Sequence, residues 1–169
     1  FLARAFGLRE VGRRALTEPG FCSAPVLDGE PAECGPLARL QAHAAVRDLA
    51  RRDRIAARAF ARLAEFALLL RDDSVAGWLD SAALGGGTGV AAAEMARGVL
   101  VHAVALENGR IARYAIVAPT EWNFHPRGAL VAELAGRPVR SAEEARRAMH
   151  YAAATLDPCV ALEVELADA

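Results

Sequence analysis

A chain of 169 residues, 54% of them hydrophobic, is long enough to bury one sizeable core and sits within the size range of a single domain. Twenty basic side chains against twenty-one acidic ones leave a net charge of −1, which excludes the positive field that holds polyanionic nucleic acid. The longest apolar runs, at 67–70 and at 99–106 broken by His102, fall far short of the ~20 residues of a membrane span; Cys22, Cys34 and Cys159 are too few and too scattered for a disulfide framework and fit a reducing cytoplasm.

The opening Phe1-Leu2-Ala3-Arg4 has no initiator Met and no basic stretch followed by an apolar one, so it reads as the start of a C-terminal fragment rather than a signal peptide. Up to residue 35, Pro19, Gly20, Pro25, Gly29, Pro31 and Gly35 predict an irregular leading segment. Pro36 suits a first helical position, where its missing N–H is not needed, and Leu37, Leu40, Ala44 and Leu49 predict a helix over about 36–51. Asp53 is placed to cap a second helix whose core face is Ile55, Ala59, Leu63, Phe66 and Leu70, with Arg54, Arg58, Arg62 and Glu65 on other faces. The arginines at 51, 52, 54, 58 and 62 read as a solvated stripe, with a docking stripe as the alternative.

Gly85-Gly86-Gly87-Thr88-Gly89 ends the helical region and is expected as a connecting loop; it lacks the Lys and Ser or Thr of a phosphate-binding loop. The Val-rich stretch 98–106, then Asn108-Gly109, then 111–117 predicts a β-hairpin. Ser141 with Glu144 three residues on forms a capping box for a helix to about Thr155, stopped by Asp157-Pro158. These elements give one α+β domain, mostly helical, with packed long helices and a small β-hairpin or sheet.

Three segments carry a resemblance: Glu94-Met-Ala-Arg97-Gly98-Val-Leu-Val-His102, Pro119-Thr120-Glu121-Trp122-Asn123-Phe-His125-Pro126-Arg127, and Asp157-Pro158-Cys159. With Glu33-Cys34-Gly35-Pro36-Leu37-Ala38-Arg39 as a fourth, residues 32 to 165 resemble the C-terminal part of the nickel–iron hydrogenase large subunit. In that family a cysteine pair from each end of the subunit holds the metals, the C-terminal pair as Asp-Pro-Cys-x-x-Cys, and iron also carries cyanide and carbon monoxide. Soft, charge-donating thiolates suit this task.

Cys159 matches the first cysteine of the C-terminal pair, whereas Leu162 stands at the second and Glu165 where the family has the His that ends the mature chain. The resemblance therefore implies a fragment that is metal-free by itself and lacks the family's nickel ligands, and it favours an accessory protein over an enzyme that oxidises hydrogen. It also implies an iron pocket: Arg97 beside the diatomic ligands, Asp157 as its partner and Thr120 as a second donor, although Ala96 replaces a family proline. A guanidinium keeps its charge and donor fork at any physiological pH. The combination is similar to the HupK and HoxV group of hydrogenase accessory proteins, which implies a scaffold for assembling or transferring the iron–dicyano–carbonyl group. The implied partners are other maturation proteins and the hydrogenase large subunit.

Two rival readings stay open, a divergent hydrogenase using Glu163 or Glu165 as a ligand and an interaction module with a vestigial pocket. Arg97 also has a structural reading, an ion pair with Asp157 or Glu94. Cys22, Cys34, His102 and His125 read as structural, while Glu94, Trp122, Asn123, Pro126 and Pro158 are motif residues that shape the surrounding loops. Apolar surface left exposed by so small a core would favour a homodimer of the fragment.

Overall fold

The computed structural model describes residues 7–71 and 77–166; Phe1 to Arg4, on which the fragment reading of the start rests, lie outside them. The leading segment is less irregular than its prolines and glycines suggest, because Leu8–Thr17 form a helix, α1, with Leu8, Val11 and Leu16 buried. Gly12 lets this helix lie directly on the sheet: a Cβ there would stand 2.6 Å from Cβ of Val90. Two short antiparallel strands follow, β1 (Val26–Leu27) and β2 (Glu30–Pro31), joined through Asp28 and Gly29, both with positive φ.

The helix expected over 36–51 is two. Helix α2 (Pro36–Arg39) starts at Pro36, ends at Leu40, and after a turn through 41–43 the chain resumes as α3 (Ala44–Ala50). The break lets Leu37 and Val46 converge on Ala57 and Ala61 of the next helix, with Leu40 and Leu49 packed around them. Ala44, assigned to the inner face by periodicity, is exposed.

That next helix, α4 (Arg54–Leu69), begins at the expected Asp53 cap, whose Oδ1 accepts from the Ala56 N–H at 2.9 Å. Of the core face read from the sequence, only Ile55 packs inward, half-buried against the Leu130 and Ala152 cluster, while Ala59, Leu63, Phe66 and Leu70 are exposed. Ala57, Arg58, Ala61 and Glu65 face inward, and Leu63, Phe66 and Leu70 face out. The expected solvated arginine stripe is broken up accordingly, since Arg58 is only 4% exposed and Arg62 reaches Thr155 and Asp157.

Beyond α4 the chain forms a four-stranded antiparallel meander, larger than the expected hairpin: β3 (Leu79–Gly85), β4 (Thr88–Met95), β5 (Gly98–Glu107) and β6 (Arg110–Val117), in that spatial order. The glycine run is a hairpin and no flexible connector, with Gly85 and Thr88 paired across the turn. Asn108 and Gly109 supply the positive φ values that a tight β5–β6 turn requires. One face of the sheet buries Val90, Ala92, Val99, Val101 and Ala103 against α1, Phe21 and Trp122, whose rings meet edge to face at 6.5 Å.

Helices α5 (Pro119–Asn123), α6 (Ala129–Leu134) and α7 (Ala142–Leu156) complete the fold. Ser141 caps α7 by accepting from Glu144 N–H at 3.1 Å, and the Glu144 carboxylate reaches back to Arg140 N–H. Asp157 ends α7 in the left-handed region at φ 56, which turns the chain out toward Cys159. No helix among the described residues is long and apolar enough to cross a membrane.

Two buried arginines link these parts. Arg39 grips Glu65 of α4 and, at 2.8 Å, Glu94 of β4. Arg58 holds Glu33 through two parallel bonds of 2.8 and 2.9 Å and Glu133 of α6 at 2.9 Å. Burial raises the Glu94 carboxyl above its ordinary value despite the opposing pull of Arg39. Replacing Arg39 by Ala would strand Glu65 and Glu94 and is expected to cost about 3–5 kcal/mol at neutral pH. Because the folded-state value of Glu94 is already raised, its protonated form favours folding and that contribution fades as pH rises through the folded value. The deficit of Arg39→Ala, measured by urea unfolding, should therefore be larger at neutral pH than in the acidic carboxylate range.

Candidate functional site

Three chain segments meet at one end of the sheet. The β4–β5 turn supplies Arg97, the start of α5 supplies Thr120, and the segment leaving α7 supplies Asp157 and Cys159. Arg97 Nε donates to the Asp157 backbone carbonyl at 3.1 Å and lies 3.2 Å from Asp157 Oδ2. Arg62 approaches the same oxygen at 3.7 Å. Thr120 Oγ1 sits 3.3 Å from Cys159 Sγ. Of the two structural partners considered for Arg97, Asp157 is therefore the one found, and Glu94 is committed to Arg39.

A buried clamp sets the spacing of the first two segments. The Cys34 N–H donates to Asn123 Oδ1 at 2.9 Å, and Asn123 Nδ2 donates to the Arg97 carbonyl at 3.3 Å. The Cys34 thiol lies 3.6 Å from the Pro119 carbonyl, the residue before Thr120. Gly98, at φ 132, allows this approach, since a Cβ there would fall 2.2 Å from Cys34 Sγ. Burial pushes the Cys34 thiol up to about 12, so it stays protonated and can donate to these carbonyls. Trp122 fills the core beneath, and His125 is buried with Nδ1 accepting the Arg127 N–H at 3.0 Å. His102 is half-buried on the outer sheet face, 2.6 Å from the Tyr114 hydroxyl.

The site opens outward. Cys159 is exposed, and the Arg97 side chain keeps 45% of its surface in water. Behind Arg97 a space of about 10 Å³, bounded by Arg58, Arg62 and Asn123, has room for no more than one water. Clefts of about 440 and 570 Å³ lie elsewhere, beside Arg47, Arg51 and Arg54 and around Arg52 and Arg137. Among the described residues no cluster of three or more His, Cys, Asp or Glu side chains is placed to hold a metal by itself. The site gathers one thiol, one hydroxyl, one carboxylate and one guanidinium fork, of which the thiol is the soft metal donor and the guanidinium a hydrogen-bond donor only. Leu162, at the position of the family's second cysteine, packs instead against the cluster of Leu130, Ala152 and Leu156.

The profile of the family described as nickel-dependent hydrogenase matches residues 70–165, the stretch that contains Arg97, Thr120, Asp157 and Cys159. The chain belongs to that family. Within it, the chain is 38% identical to the hydrogenase expression/formation protein HupK of Rhizobium leguminosarum bv. viciae, over 95% of this chain and 45% of the relative. It is 37% identical to the hydrogenase expression/formation protein HoxV of Cupriavidus necator, over the same shares of each chain. It is 36% identical to HupK of Bradyrhizobium diazoefficiens, over 100% of this chain and 48% of the relative. The chain thus spans about half the length of the curated relatives it matches. The Ni-Fe-Se hydrogenase of Desulfovibrio vulgaris Hildenborough shares its fold, with a TM-score of 0.54 at 24% identity, over 80% of this chain and 36% of that one.

In this family member the sequence motifs divide into two tiers. Arg97, Thr120, Asp157 and Cys159 converge at the surface, while Glu94, Trp122 and Asn123 lie buried behind them. Pro126 is exposed in the turn after α5 and contributes no side chain to the site, and Pro158 is half-buried between Asp157 and Cys159. Sequence reading missed the Cys34 clamp, although Cys34-Gly35-Pro36 and Gly98 both sat inside matching segments; only contact across sequence separations of 63 and 89 residues reveals it. Gly98→Ala is expected to cost at least about 2 kcal/mol, from strain at positive φ and overlap with Cys34. Cys34→Ala in that background should recover part of the loss in thermal unfolding, since Gly35 N would still stand 3.0 Å from the new Cβ. In native protein a thiol reagent should label Cys159 first and Cys34 last, as mass spectrometry of partially labelled samples would show.

Proposed function

We propose that the full-length protein is a cytoplasmic hydrogenase accessory protein, a scaffold on which an iron–dicyano–carbonyl group is assembled or held before delivery to a hydrogenase large subunit. The observation that carries this reading is the convergence of Cys159, Thr120, Arg97 and Asp157 at one exposed edge in a chain whose second C-terminal cysteine position is Leu162. The names of the relatives, hydrogenase expression/formation proteins HupK and HoxV, support it.

Each residue has a role that follows from its chemistry. The Cys159 thiolate is the soft donor to iron. The guanidinium of Arg97 donates hydrogen bonds to cyanide nitrogen, and Asp157 fixes its direction through Nε. Thr120 is positioned against Cys159 to donate to the sulfur or to a second cyanide. The iron group is cargo, and its electron-rich diatomic ligands are what these donors recognise. Nickel does not fit this chain's donors, because Leu162 has no lone pair to offer. The partners on this reading are the maturation proteins that supply the iron group and the large subunit that receives it, and the isolated 169-residue chain is expected to pair with itself through its exposed apolar surface.

Infrared spectroscopy with metal analysis, on full-length protein purified anaerobically from a host expressing the hydrogenase maturation genes, tests the reading. Cyanide and carbonyl stretches with iron and without nickel are expected. Cys159→Ala should abolish them, and Arg97→Met should shift the cyanide bands while lowering iron occupancy several-fold. Full-length protein without these bands would favour the interaction-module reading, and hydrogen-dependent dye reduction would favour the hydrogenase one.

A further inference from the structure

Helix α4 is amphipathic with its polarity inverted. Arg58 and Glu65 lie inward with Ala57 and Ala61, and the opposite face is formed by Ala56, Ala59, Leu63, Phe66, Ala67 and Leu70, with no charged residue among them. Leu63, Phe66 and Leu70 leave 70%, 62% and 74% of their surface in water. Single exposed apolar side chains are ordinary; a continuous stripe along three turns of helix is not. The spacing 59, 63, 66 and 70 is that of a seam receiving another helix.

The helix cannot roll to bury this stripe within the chain. Rotation would pull Glu65 from Arg39 and Arg58 from Glu33 and Glu133, turning two buried charges of α4 away from their partners and leaving Arg39 with Glu94 alone. The ion pairs therefore commit the apolar stripe to face outward, and what covers it must come from beyond the described residues. Two length comparisons indicate the source. The chain accounts for 45% of the HupK relative and, at the level of fold, 36% of the D. vulgaris hydrogenase chain, so in both more than half of the polypeptide lies outside its footprint.

We propose that the outward face of α4, centred on Leu63 and Phe66, is the seat of an apolar helix from the chain's own full-length polypeptide, from a segment outside these 169 residues. The interface is intramolecular, uncharged and independent of whether the site carries iron.

Photo-crosslinking in the full-length polypeptide tests this. Benzoylphenylalanine placed at Leu63 or Phe66 should crosslink to peptides of the same polypeptide outside the 169 residues, in a product that runs as a monomer. The paired substitution Leu63→Lys and Phe66→Lys should lower the Tm and soluble yield of the full-length protein. Crosslinks to a second copy or to another protein, no crosslinked peptide at all, or a gene product no longer than this chain would each overturn the proposal.

Discussion

The pairing of Arg39 and Arg58 with carboxylates from four different segments is the constraint on which the rest of the structure depends. A buried guanidinium needs partners on more than one side, and each arginine has two carboxylates. Their attachment points surround the site. Arg39 fixes Glu94 and also donates to the Met95 carbonyl at 3.2 Å, just before the turn that presents Arg97. Arg58 fixes Glu33, the residue before Cys34. The charges thus set the two strands of chain that the Cys34–Asn123 clamp then joins.

Rigidity and accessibility are divided between two layers. The Arg97–Asp157 pair is half exposed, and such a pair contributes only about 0–1 kcal/mol to folding, so it is no anchor of the fold. The backbone of Arg97 is held instead from below, by an amide and a thiol that are almost wholly buried. This leaves the guanidinium oriented but open to a further acceptor. The same division holds at Thr120, whose helix is fixed through Pro119 and Trp122 while its hydroxyl faces the exposed thiol of Cys159.

The sequence was most legible where one residue determines a local geometry. Asp53, Ser141, Pro36 and Asn108-Gly109 each mark an element boundary that the structure contains, because caps, proline and positive-φ turns act over a few residues. Reading failed where long-range pairing overrode local pattern. Periodicity in α4 correctly gave a helix and incorrectly gave its inner face, since hydrophobicity alone cannot show that Arg58 and Glu65 have buried partners on other elements. Helix α1 was hidden because Leu8, Val11 and Leu16 are interleaved with Arg9, Arg13 and Arg14 and followed by a proline-rich stretch. At the site, the motifs named the surface residues but not the clamp, whose members become neighbours only when the β4–β5 turn, α5 and the loop before α2 come together.

A carrier and an enzyme place opposite demands on the same pocket. A metal centre that must survive many turnovers benefits from a full set of thiolates, because each added soft ligand slows its loss. A scaffold that must pass its cargo to another protein requires a finite dissociation rate, and affinity is set mostly by that rate. Cargo arriving with its own strongly bound diatomic ligands needs orientation more than coordination, which one thiol and a charged donor fork can supply. Under the scaffold proposal, Leu162 in place of a cysteine, with its side chain in the α6–α7 core, is therefore part of the design for release: the second tether is absent, and the position instead secures the segment that presents Cys159.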